Sequence, residues 1–385
     1  MKKGREPVKA YKGFNKYMQC TPNGKIFQYE IGKEYKEDEA DLCHCGFHAC
    51  ENPLDVLSYY NNIDDKFCEV ELDKIDPNRN KDSKICGKKI KIGVEIGFLG
   101  LFKAGIEWIK NKTIFTKEDF EKLPSGYNVK ISSSDYNTKI SSSGDKAKIG
   151  SSGNHAQIGS SGNYVQIGSS GDDTKIGSSS DYVQIGSSGD KAKISSSGDD
   201  AQIGSSGNHA QIGSSSDNAK IGSSGNYVQI GSSGYNAEIG SSSDYAKIGF
   251  SGNSTKIGSS GYNAKIGSSG DKAQISSSGD YAQISSSGDY AQISSSGNHA
   301  QISSSGDDTK ISSSGYDCVI MCAGINSSAK AKIGSWITLA EWKYSEEKQK
   351  YIPFLVMTKQ VDGIEIKEDV YYTLQDGKFK ESKQH

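Results

Sequence analysis

The chain has 385 residues, a length that allows two or three domains. Its 45 glycines and its hydrophobic fraction of 34% are close to the composition of a disordered chain. The alternative is a repeat architecture, in which each unit needs few apolar residues. The formal net charge of −2 argues against electrostatic capture of nucleic acid, which requires a basic surface.

Cysteine usage and targeting signals favour a cytoplasmic protein. Six of the eight cysteines precede residue 87 and follow no regular disulfide framework, which is typical of a reducing compartment. The first fourteen residues are basic but lead into no apolar core of a signal peptide. No apolar run approaches the roughly 18 residues of a membrane span, so we expect no membrane partner.

Residues 1–124 have an ordinary globular composition and form the first predicted domain. Its strand-like runs are VKAYKGF, KIFQYEI, FCEVEL and KKIKIGVEI. Asn52 and Pro53 before LDVLSYY predict an N-cap, a proline at the first helical position and a short amphipathic helix. Thr116 opens a second predicted helix, which Pro124 ends. Together these signals predict an α+β domain.

A cluster of thiols and an imidazole raises the question of zinc. The residues that suit such a site are Cys43, Cys45, His48 and Cys50. Four ligands within eight residues, on a strand that leads into a helix, would strain the backbone if they converged on one ion. Structural zinc sites usually have a second pair of ligands that is distant in sequence. We therefore predict no metal site and no cofactor, although Cys20, Cys68 or Cys86 could supply a distant ligand.

The string LCHCGFHACENPLDVLSYY at residues 42–60 is the most specific of this region. With the YKGF start, the strand from Lys91 to Glu95 and the later strings GSWITLAEW, DVYYTL and DGKF, the chain resembles uncharacterised proteins of phages and bacterial prophages. The resemblance covers both flanks of the repeat described below. It implies a phage-linked origin, and hence the cytoplasm of a host cell, but no activity.

A second resemblance concerns the ADP-ribosyltransferase plan, in which a basic residue or histidine, a tyrosine-bearing helix and a glutamate surround NAD. The matching strings are Tyr11-Lys12-Gly13, Gly46-Phe47-His48, Tyr59-Tyr60 and Glu69-Val70-Glu71. Lys12 stands where that plan has arginine or histidine. The resemblance implies an alternative function, an N-terminal enzyme with the repeat as a targeting arm.

The middle of the chain repeats every nine residues. Isoleucine recurs at this period from Ile131 to Ile320, in 22 registered positions without an insertion. A small residue stands two places before each Ile, and a long polar residue, mostly Lys or Gln, stands between them. This alternation predicts a short strand with the small residue and Ile inside. The Gly, Ser, Asp and Asn that follow predict a corner.

A unit of nine residues cannot bury its own Ile, so the units must coil and stack. The simplest coil has two sides and 18 residues, which gives about eleven coils over residues 125–322 at a strand spacing of ~4.8 Å. A three-sided coil of 27 residues is the alternative. We expect backbone ladders and buried serine hydroxyls that bond one another along the stack to supply the remaining stability.

The repeat departs from three known chemistries. In the calcium-binding nonapeptide the acidic residue lies one place later, and here Asn154, Tyr235 and Tyr262 share its position. Between Gly126 and Cys322 stand 13 Lys against 17 acidic residues, a net charge of −4, which is too weak for DNA mimicry. Ice binding would require a uniform ladder of short hydroxyls. A solenoid that binds calcium or ice remains a third alternative.

The variable position lies three places before each Ile. With two units per coil, it forms two separate columns of candidate interaction residues. One column carries Tyr164, Tyr182 and Tyr290, and the other carries His155, His209, Tyr227, Tyr245, Tyr281 and His299. Exposed tyrosine is common at interaction hot spots. It also suits a β surface through cross-strand stacking, which leaves a purely structural interpretation open.

Residues 323–385 form the third predicted domain, a small β cap. Its strand signals are WITLAEW, YIPFLVM, IEIKE and DVYYTL, with turns at Asp362-Gly363 and Asp376-Gly377. Its predicted core consists of Trp336, Trp342 and Phe354. Because the end of a solenoid exposes backbone groups and apolar residues, we expect the two flanking domains to close its ends.

The sequence thus predicts a mainly β protein, a parallel β-solenoid capped by an N-terminal α+β domain and a small C-terminal β domain. We predict a non-catalytic rod-like scaffold that binds a protein partner of the host cell. It would act against host defence or serve as a virion accessory protein. The rod is expected to be a monomer or to pair with itself.

Overall fold

The computed structural model describes residues 7–42, 44–60, 64–77, 83–113 and 126–382. Within it the chain forms two compact units, Met1–Lys112 and Thr113–His385. No helix of the described residues is long and apolar enough to cross a membrane.

The described part of the N-terminal unit contains seven strands. They are β1 (Val8–Phe14), β2 (Gln19–Cys20), β3 (Phe27–Gln28), β4 (Glu34–Lys36), β5 (Phe47–Cys50), β6 (Lys66–Ile75) and β7 (Lys84–Glu95). β2 and β3 pair with each other, and the other five form an antiparallel sheet in the order β4-β7-β5-β1-β6. β7 also pairs with β6, because its twelve residues extend past the short β5. Strands β1, β5, β7 and β6 therefore form a closed ring.

Two apolar cores hold this unit together. The inside of the ring contains Ala10, Phe14, Tyr29, Phe47 and Ile90, with further apolar residues of β6 and β7. A second core lies outside the ring, where α1 (Gly97–Thr113) and a 3-10 helix at Pro53–Ser58 pack against Tyr11 of β1. A further 3-10 turn spans Pro22–Gly24.

The helix predicted after Asn52 is present but is a 3-10 helix. The Asn52 side chain accepts a hydrogen bond from the N–H of Leu54 at 3.2 Å, and Pro53 follows directly, as the sequence indicates. The predicted helix from Thr116 to Pro124 lies outside the described residues. Helix α1 was not predicted. Its buried residues, among them Leu101 and Phe102, meet the apolar face of the 3-10 helix.

The solenoid consists of two parallel sheets, S1 and S2. Sheet S1 contains β8 (Lys130–Ser133), β10 (Lys148–Ser151), β12 (Gln166–Ser169), β14 (Gln184–Ser187), β16 (Gln202–Ser205), β18 (Lys220–Ser223), β20 (Glu238–Ser241), β22 (Lys256–Ser259), β24 (Gln274–Ser277), β26 (Gln292–Ser295) and β28 (Lys310–Ser313). Sheet S2 contains β9 (Lys139–Ser142), β11 (Gln157–Ser160), β13 (Lys175–Ser178), β15 (Lys193–Ser196), β17 (Gln211–Ser214), β19 (Gln229–Ser232), β21 (Lys247–Phe250), β23 (Lys265–Ser268), β25 (Gln283–Ser286), β27 (Gln301–Ser304) and β29 (Val319–Cys322).

Each strand pairs in register with the strand 18 residues away. Ile149, for example, lies opposite Ile131 on one side and Ile167 on the other. The two-sided coil is thereby confirmed and the three-sided alternative is wrong. About 12 turns lie between residues 130 and 339.

The interior follows the predicted alternation. From Ile140 onward the repeat isoleucines are buried, and from Ala147 onward so are the small residues two places before them; Lys or Gln lies between them on the outer surface of S1. The prediction that buried serine hydroxyls bond one another along the stack is wrong for at least ten of the twenty serines that stand two places after an Ile. The serine two places after Ile is buried, yet ten of these hydroxyls have no hydrogen-bond partner among the described residues. The serine three places after Ile is exposed.

The C-terminal strands continue both sheets. They are β30 (Ser328–Lys330), β31 (Trp336–Ser345), β32 (Lys350–Gln360), β33 (Tyr372–Gln375) and β34 (Lys378–Glu381). β30 and β31 add in parallel to S1 and S2, and the antiparallel strands beyond them end each sheet. The hairpin at Asp376-Gly377 joins β33 to β34, as predicted.

Two expectations for this region are wrong. Trp336 and Phe354 are 45% and 57% exposed, because the inward positions of the alternation fall on residues such as Ile337 and Leu339 instead. Trp342 is half-buried, and its indole donates to the carbonyl of Ala323 at 2.8 Å. The predicted strand IEIKE is a turn, since the Asp362 carboxylate accepts hydrogen bonds from three successive N–H groups that follow it.

Candidate interaction edge of the solenoid

The variable position occupies an unusual backbone conformation. Every ninth residue from Asn128 to Asn326 has a φ between 52° and 61°, in the left-handed region that residues other than glycine seldom adopt. Asn, Asp, Lys, His, Ser and Tyr fill the position, and β-branched residues do not. From Asn128 to Asp308, the N–H of each such residue donates to a carbonyl of the next coil, as from Tyr227 to Asp244 at 2.9 Å, which ties the corner to the stack.

The Asp or Asn one place earlier forms a second ladder. Its side-chain oxygen accepts a hydrogen bond from the N–H of the equivalent residue 18 positions later, as from Asn208 to Asp190 at 2.8 Å and from Asp190 to Asp172 at 2.9 Å. Asn serves as well as Asp, because only one side-chain oxygen is used. These carboxylates therefore have a structural partner in the fold, which accounts for the position without calcium.

Six aromatic rings form a continuous ladder along one edge, where the corners lead into the strands of S2. This aromatic ladder consists of His209, Tyr227, Tyr245, Tyr262, Tyr281 and His299. Neighbouring ring centroids are 4.8 to 5.8 Å apart. The four tyrosines remain 40% to 49% exposed. Five of the six rings are sequence candidates, and the structure brings them together.

Tyr262 is the member that sequence reasoning missed. It occupies the position of the Asp and Asn ladder, while Asn263 stands in the variable position. Its ring meets those of Tyr245 and Tyr281 edge-on, at 5.8 and 5.4 Å, and so bridges the coil in which the variable position has no ring. The sequence does carry a signal for it. Tyr262 replaces the usual Asp or Asn in the one unit of this edge between Tyr245 and Tyr281, whose variable position, Asn263, is not aromatic.

The remaining candidates do not join this ladder. Tyr164 and Tyr182 stack as an isolated pair at 4.8 Å on the opposite edge, where the corners lead into S1. Tyr290 lies on that edge too, and it stacks on no other ring of the described residues. His155 meets Tyr136 at 4.9 Å on the ladder's edge, nearer the start of the solenoid. The two edges therefore differ in the length of their aromatic surface.

The stacking decides which part of each ring is available. Tyr227 lies 6° from parallel to His209 and 5° from parallel to Tyr245, so the faces of these rings cover one another. Ring edges and hydroxyl groups remain exposed and form a strip along the edge. Its five steps from coil to coil, at the strand spacing of ~4.8 Å, span about 24 Å. Because each ring is held by its neighbours, a partner would meet side chains that are already ordered.

A shallow groove runs along the outer surface of S1. Its floor contains seven glycines in successive coils, from Gly150 to Gly258, and ladders of Lys or Gln and of Ser flank it. A Cβ built at Gly168, Gly186, Gly222 or Gly240 would meet no atom within 4 Å. Packing therefore does not require these glycines, and they make this surface flat.

The N-terminal unit has a pocket of about 850 Å³. It gathers most of the residues of the ADP-ribosyltransferase resemblance, namely Tyr11, Lys12, Gly13, Gly46, His48, Tyr59 and Tyr60. Glu69 and Glu71 do not line it. Glu69 pairs with Lys9 at 2.9 Å and Glu71 lies 3.8 Å from Lys91, so the glutamate of that plan is not brought to the pocket.

Three of the candidate zinc residues, Cys45, His48 and Cys50, are described, and they form no metal-binding group with other described residues. Cys43 lies outside the described residues. Among the residues that the structure describes, no three His, Cys, Asp or Glu side chains lie together in a group that could hold a metal ion. The carbonyl of Cys45 accepts a hydrogen bond from the thiol of Cys86 at 3.0 Å, and Cys50 is buried in the outer core of the unit with Leu54.

Comparisons with known proteins identify only the N-terminal region. No curated protein and no solved structure matches the chain. Residues 8–104, which include the closed ring of strands and the pocket, match the model of a domain of unknown function, DUF7666. The match indicates an uncharacterised domain family at the N-terminus, over residues 8–104.

Proposed function

We propose that this chain is a non-catalytic scaffold of phage or prophage origin, and that its solenoid binds a protein partner of the host cell through the aromatic ladder. The observation that carries the proposal is the continuity of the six rings from His209 to His299 along one edge only. Tyrosines that are large, partly exposed and ordered before binding are typical of interaction hot spots.

Charge supports a protein partner over nucleic acid. The solenoid carries a net charge of −4, and its edges display Asp and Asn beside the rings, so phosphate would meet repulsion there. Stacked rings also leave no open faces between them for bases to enter. A protein surface with a row of apolar side chains and backbone hydrogen-bond groups is the complementary partner for exposed ring edges and hydroxyls.

Affinity capture from host cells with the intact chain tests the proposal. In the ladder variant, Tyr227, Tyr245 and Tyr281 become Asn, because Asn already fills this left-handed position at Asn218 and Asn263. In the matched control, Tyr164, Tyr182 and Tyr290 of the opposite edge become Asn. We expect the ladder variant to lose the captured protein and the control to retain it.

Equal retention by both variants would contradict the proposal. Capture of a host defence protein would identify the chain as an antagonist of that defence, whereas co-purification with virions would identify a virion accessory. If the wild-type ladder captures only a second copy of the chain, which a change in sedimentation with concentration would reveal, the partner is the rod itself.

A further inference from the structure

Lys12 is a buried cation in the N-terminal unit. It lies on β1 between Ala10 and Phe14, which belong to the core inside the ring, and its own exposure is 9%. Its Nζ donates to the carbonyl of His48 at 2.8 Å. The same atom lies 5.7 Å from the ring centroid of Phe14 and 5.5 Å from that of Tyr29.

The charge of Lys12 is not balanced by an acidic side chain. In the described part of the chain, no carboxylate lies within ion-pair distance of its Nζ, and the carbonyl of His48 is its one hydrogen-bond acceptor. An ammonium group has three donors. A buried charge without an opposite charge destabilises a fold, and contacts with two rings offset only part of this effect. A bound anion would supply what is missing.

The pocket beside Lys12 is lined by more basic than acidic side chains. Three lysines, Lys12, Lys25 and Lys84, line it, whereas Glu37 is the one acidic residue among its described lining. Burial first, and then the charges of Lys12 and Lys84, together lower the pKa of His48 to about 4. The Glu37 carboxylate accepts the N–H of Gly46 at 2.9 Å, so it is held toward the backbone of that loop.

The rest of the pocket is aromatic. The rings of Tyr11, Phe27, Tyr29, Tyr59 and Tyr60 line it, and the Lys84 Nζ lies 4.7 Å from the centroid of Tyr59. A volume of about 850 Å³ is in the range of small-molecule sites, which combine apolar walls with a few polar groups. Two ammonium groups whose charges act on His48, with rings beside them, suit a molecule with an anionic head and a flat body.

We infer that this pocket binds a small phosphate-bearing molecule with a planar ring, such as a mononucleotide. The phosphate lies against Lys12 and Lys84, and the ring lies among the tyrosines. Lysine provides a compact charge for phosphate, and each non-bridging oxygen can accept one of the donors that Lys12 does not use within the protein. The inference does not depend on the aromatic ladder of the solenoid.

Calorimetric titration of the intact chain tests the site with AMP, with adenosine as the uncharged match, and with inorganic phosphate. We expect AMP to bind, adenosine to bind at least tenfold more weakly, and phosphate to compete with AMP. The variants Lys12→Met and Lys84→Gln should each weaken AMP at least tenfold. Lys9→Met is the control, since Lys9 lies on the same strand but is exposed and paired with Glu69.

A second readout separates binding from structure. If Lys12 is held for a ligand, Lys12→Met should raise the melting temperature of the ligand-free chain, because it removes a buried charge from apolar surroundings. A lower melting temperature with no AMP or phosphate binding by the wild type would assign Lys12 a structural role and overturn the site. AMP binding that both pocket variants leave unchanged would overturn it as well.

Discussion

The rings of Tyr245 and Tyr262 meet edge-on, with their centroids 5.8 Å apart, although the two residues occupy different positions of the nine-residue unit. Tyr245 has a left-handed backbone conformation, whereas Tyr262 stands where most units have Asp or Asn. The ladder is thus continuous in space but shifted by one residue in sequence. Its bridging ring replaces a side chain that would otherwise bind the backbone of the next coil.

We predict that Tyr262→Asn will reduce partner capture and lower the stability by no more than about 2 kcal/mol. The new side chain can accept the N–H of Asp280, as Asn226 accepts that of Asp244 at 3.2 Å, which contributes about 1 kcal/mol. The change also removes two exposed ring contacts of about 0.5–1.5 kcal/mol each. The free energy of unfolding in urea should therefore change by no more than about 2 kcal/mol.

Tyr235→Asn is the matched control for this change. Tyr235 occupies the same position of the unit as Tyr262 but lies on the opposite edge, where it bridges no ladder. It should leave partner capture unchanged. Equal loss of capture in both variants would show that the continuity of the six rings has no role.

Changes at Asp190 test the acceptor ladder of the corners. Asp190→Ala removes the acceptor of the Asn208 N–H and should lower the free energy of unfolding by about 0.5–1.5 kcal/mol. Asp190→Asn keeps one side-chain oxygen and should be close to neutral. Both free energies can be measured by urea unfolding, with and without a calcium chelator. A large loss in Asp190→Asn, or a transition that shifts with the chelator, would show that the carboxylate has a role beyond this hydrogen bond.

Alanine substitutions at two glycines three residues apart should change the free energy of unfolding in opposite directions. A Cβ at Gly186 would meet nothing within 4 Å, so Gly186→Ala should raise the free energy of unfolding by about 0.5–1 kcal/mol through the entropy of the unfolded chain. A Cβ at Gly189 would lie 2.0 Å from the carbonyl oxygen of Gly171, so Gly189→Ala should lower it by about 1–3 kcal/mol.

Serine at the equivalent of Gly189 shows how the fold accepts a side chain there. Ser180 fills that position, and its hydroxyl forms a hydrogen bond with the buried Ser160 at 3.2 Å. Gly189→Ser should therefore be less harmful than Gly189→Ala, although serine is the larger residue. If alanine is tolerated better than serine in urea unfolding, this explanation of the position is incorrect.

The coil could be predicted from the sequence because its contacts are local in the repeat. Each unit meets its equivalent 18 residues away, so a period of nine with alternating burial decides the stacking. A comparison of equivalent positions of the repeat could not identify Tyr262 as part of the ladder, because a long aromatic side chain reaches beyond the position of its own backbone. Trp336 was misplaced because residue size suggested burial, whereas the alternation along β31 puts Ile337 inside.

The N-terminal pocket could not be predicted, for a different reason. It depends on the closure of the ring, in which Val8 pairs with Leu72 and Val70 pairs with Ile92. Such pairings join distant residues and leave no periodic signal. The strings that the sequence singled out do meet at this pocket, but the acidic strand that contains Glu69 faces elsewhere.

His48 gives a pH dependence whose sign follows from its surroundings. Burial and, to a smaller extent, the charges of Lys12 and Lys84 together lower its pKa to about 4. In the unfolded chain the pKa of this histidine is about 6.5. Between pH ~4 and pH ~6.5 the folded state therefore binds fewer protons than the unfolded state. The stability that this residue contributes is complete above pH ~6.5 and decreases as the pH falls toward ~4.

Proton NMR titration of the imidazole resonances of the intact chain measures this directly. We expect one histidine to titrate near pH 4, and its signal to be absent from His48→Gln. Lys12→Met should raise the pKa of His48, because it removes a nearby positive charge. His44→Gln provides the control, since His44 is exposed on the loop before β5. A His48 that titrates near pH 6.5 in the wild type, or one that Lys12→Met leaves unchanged, would contradict the position of the two lysine charges around it.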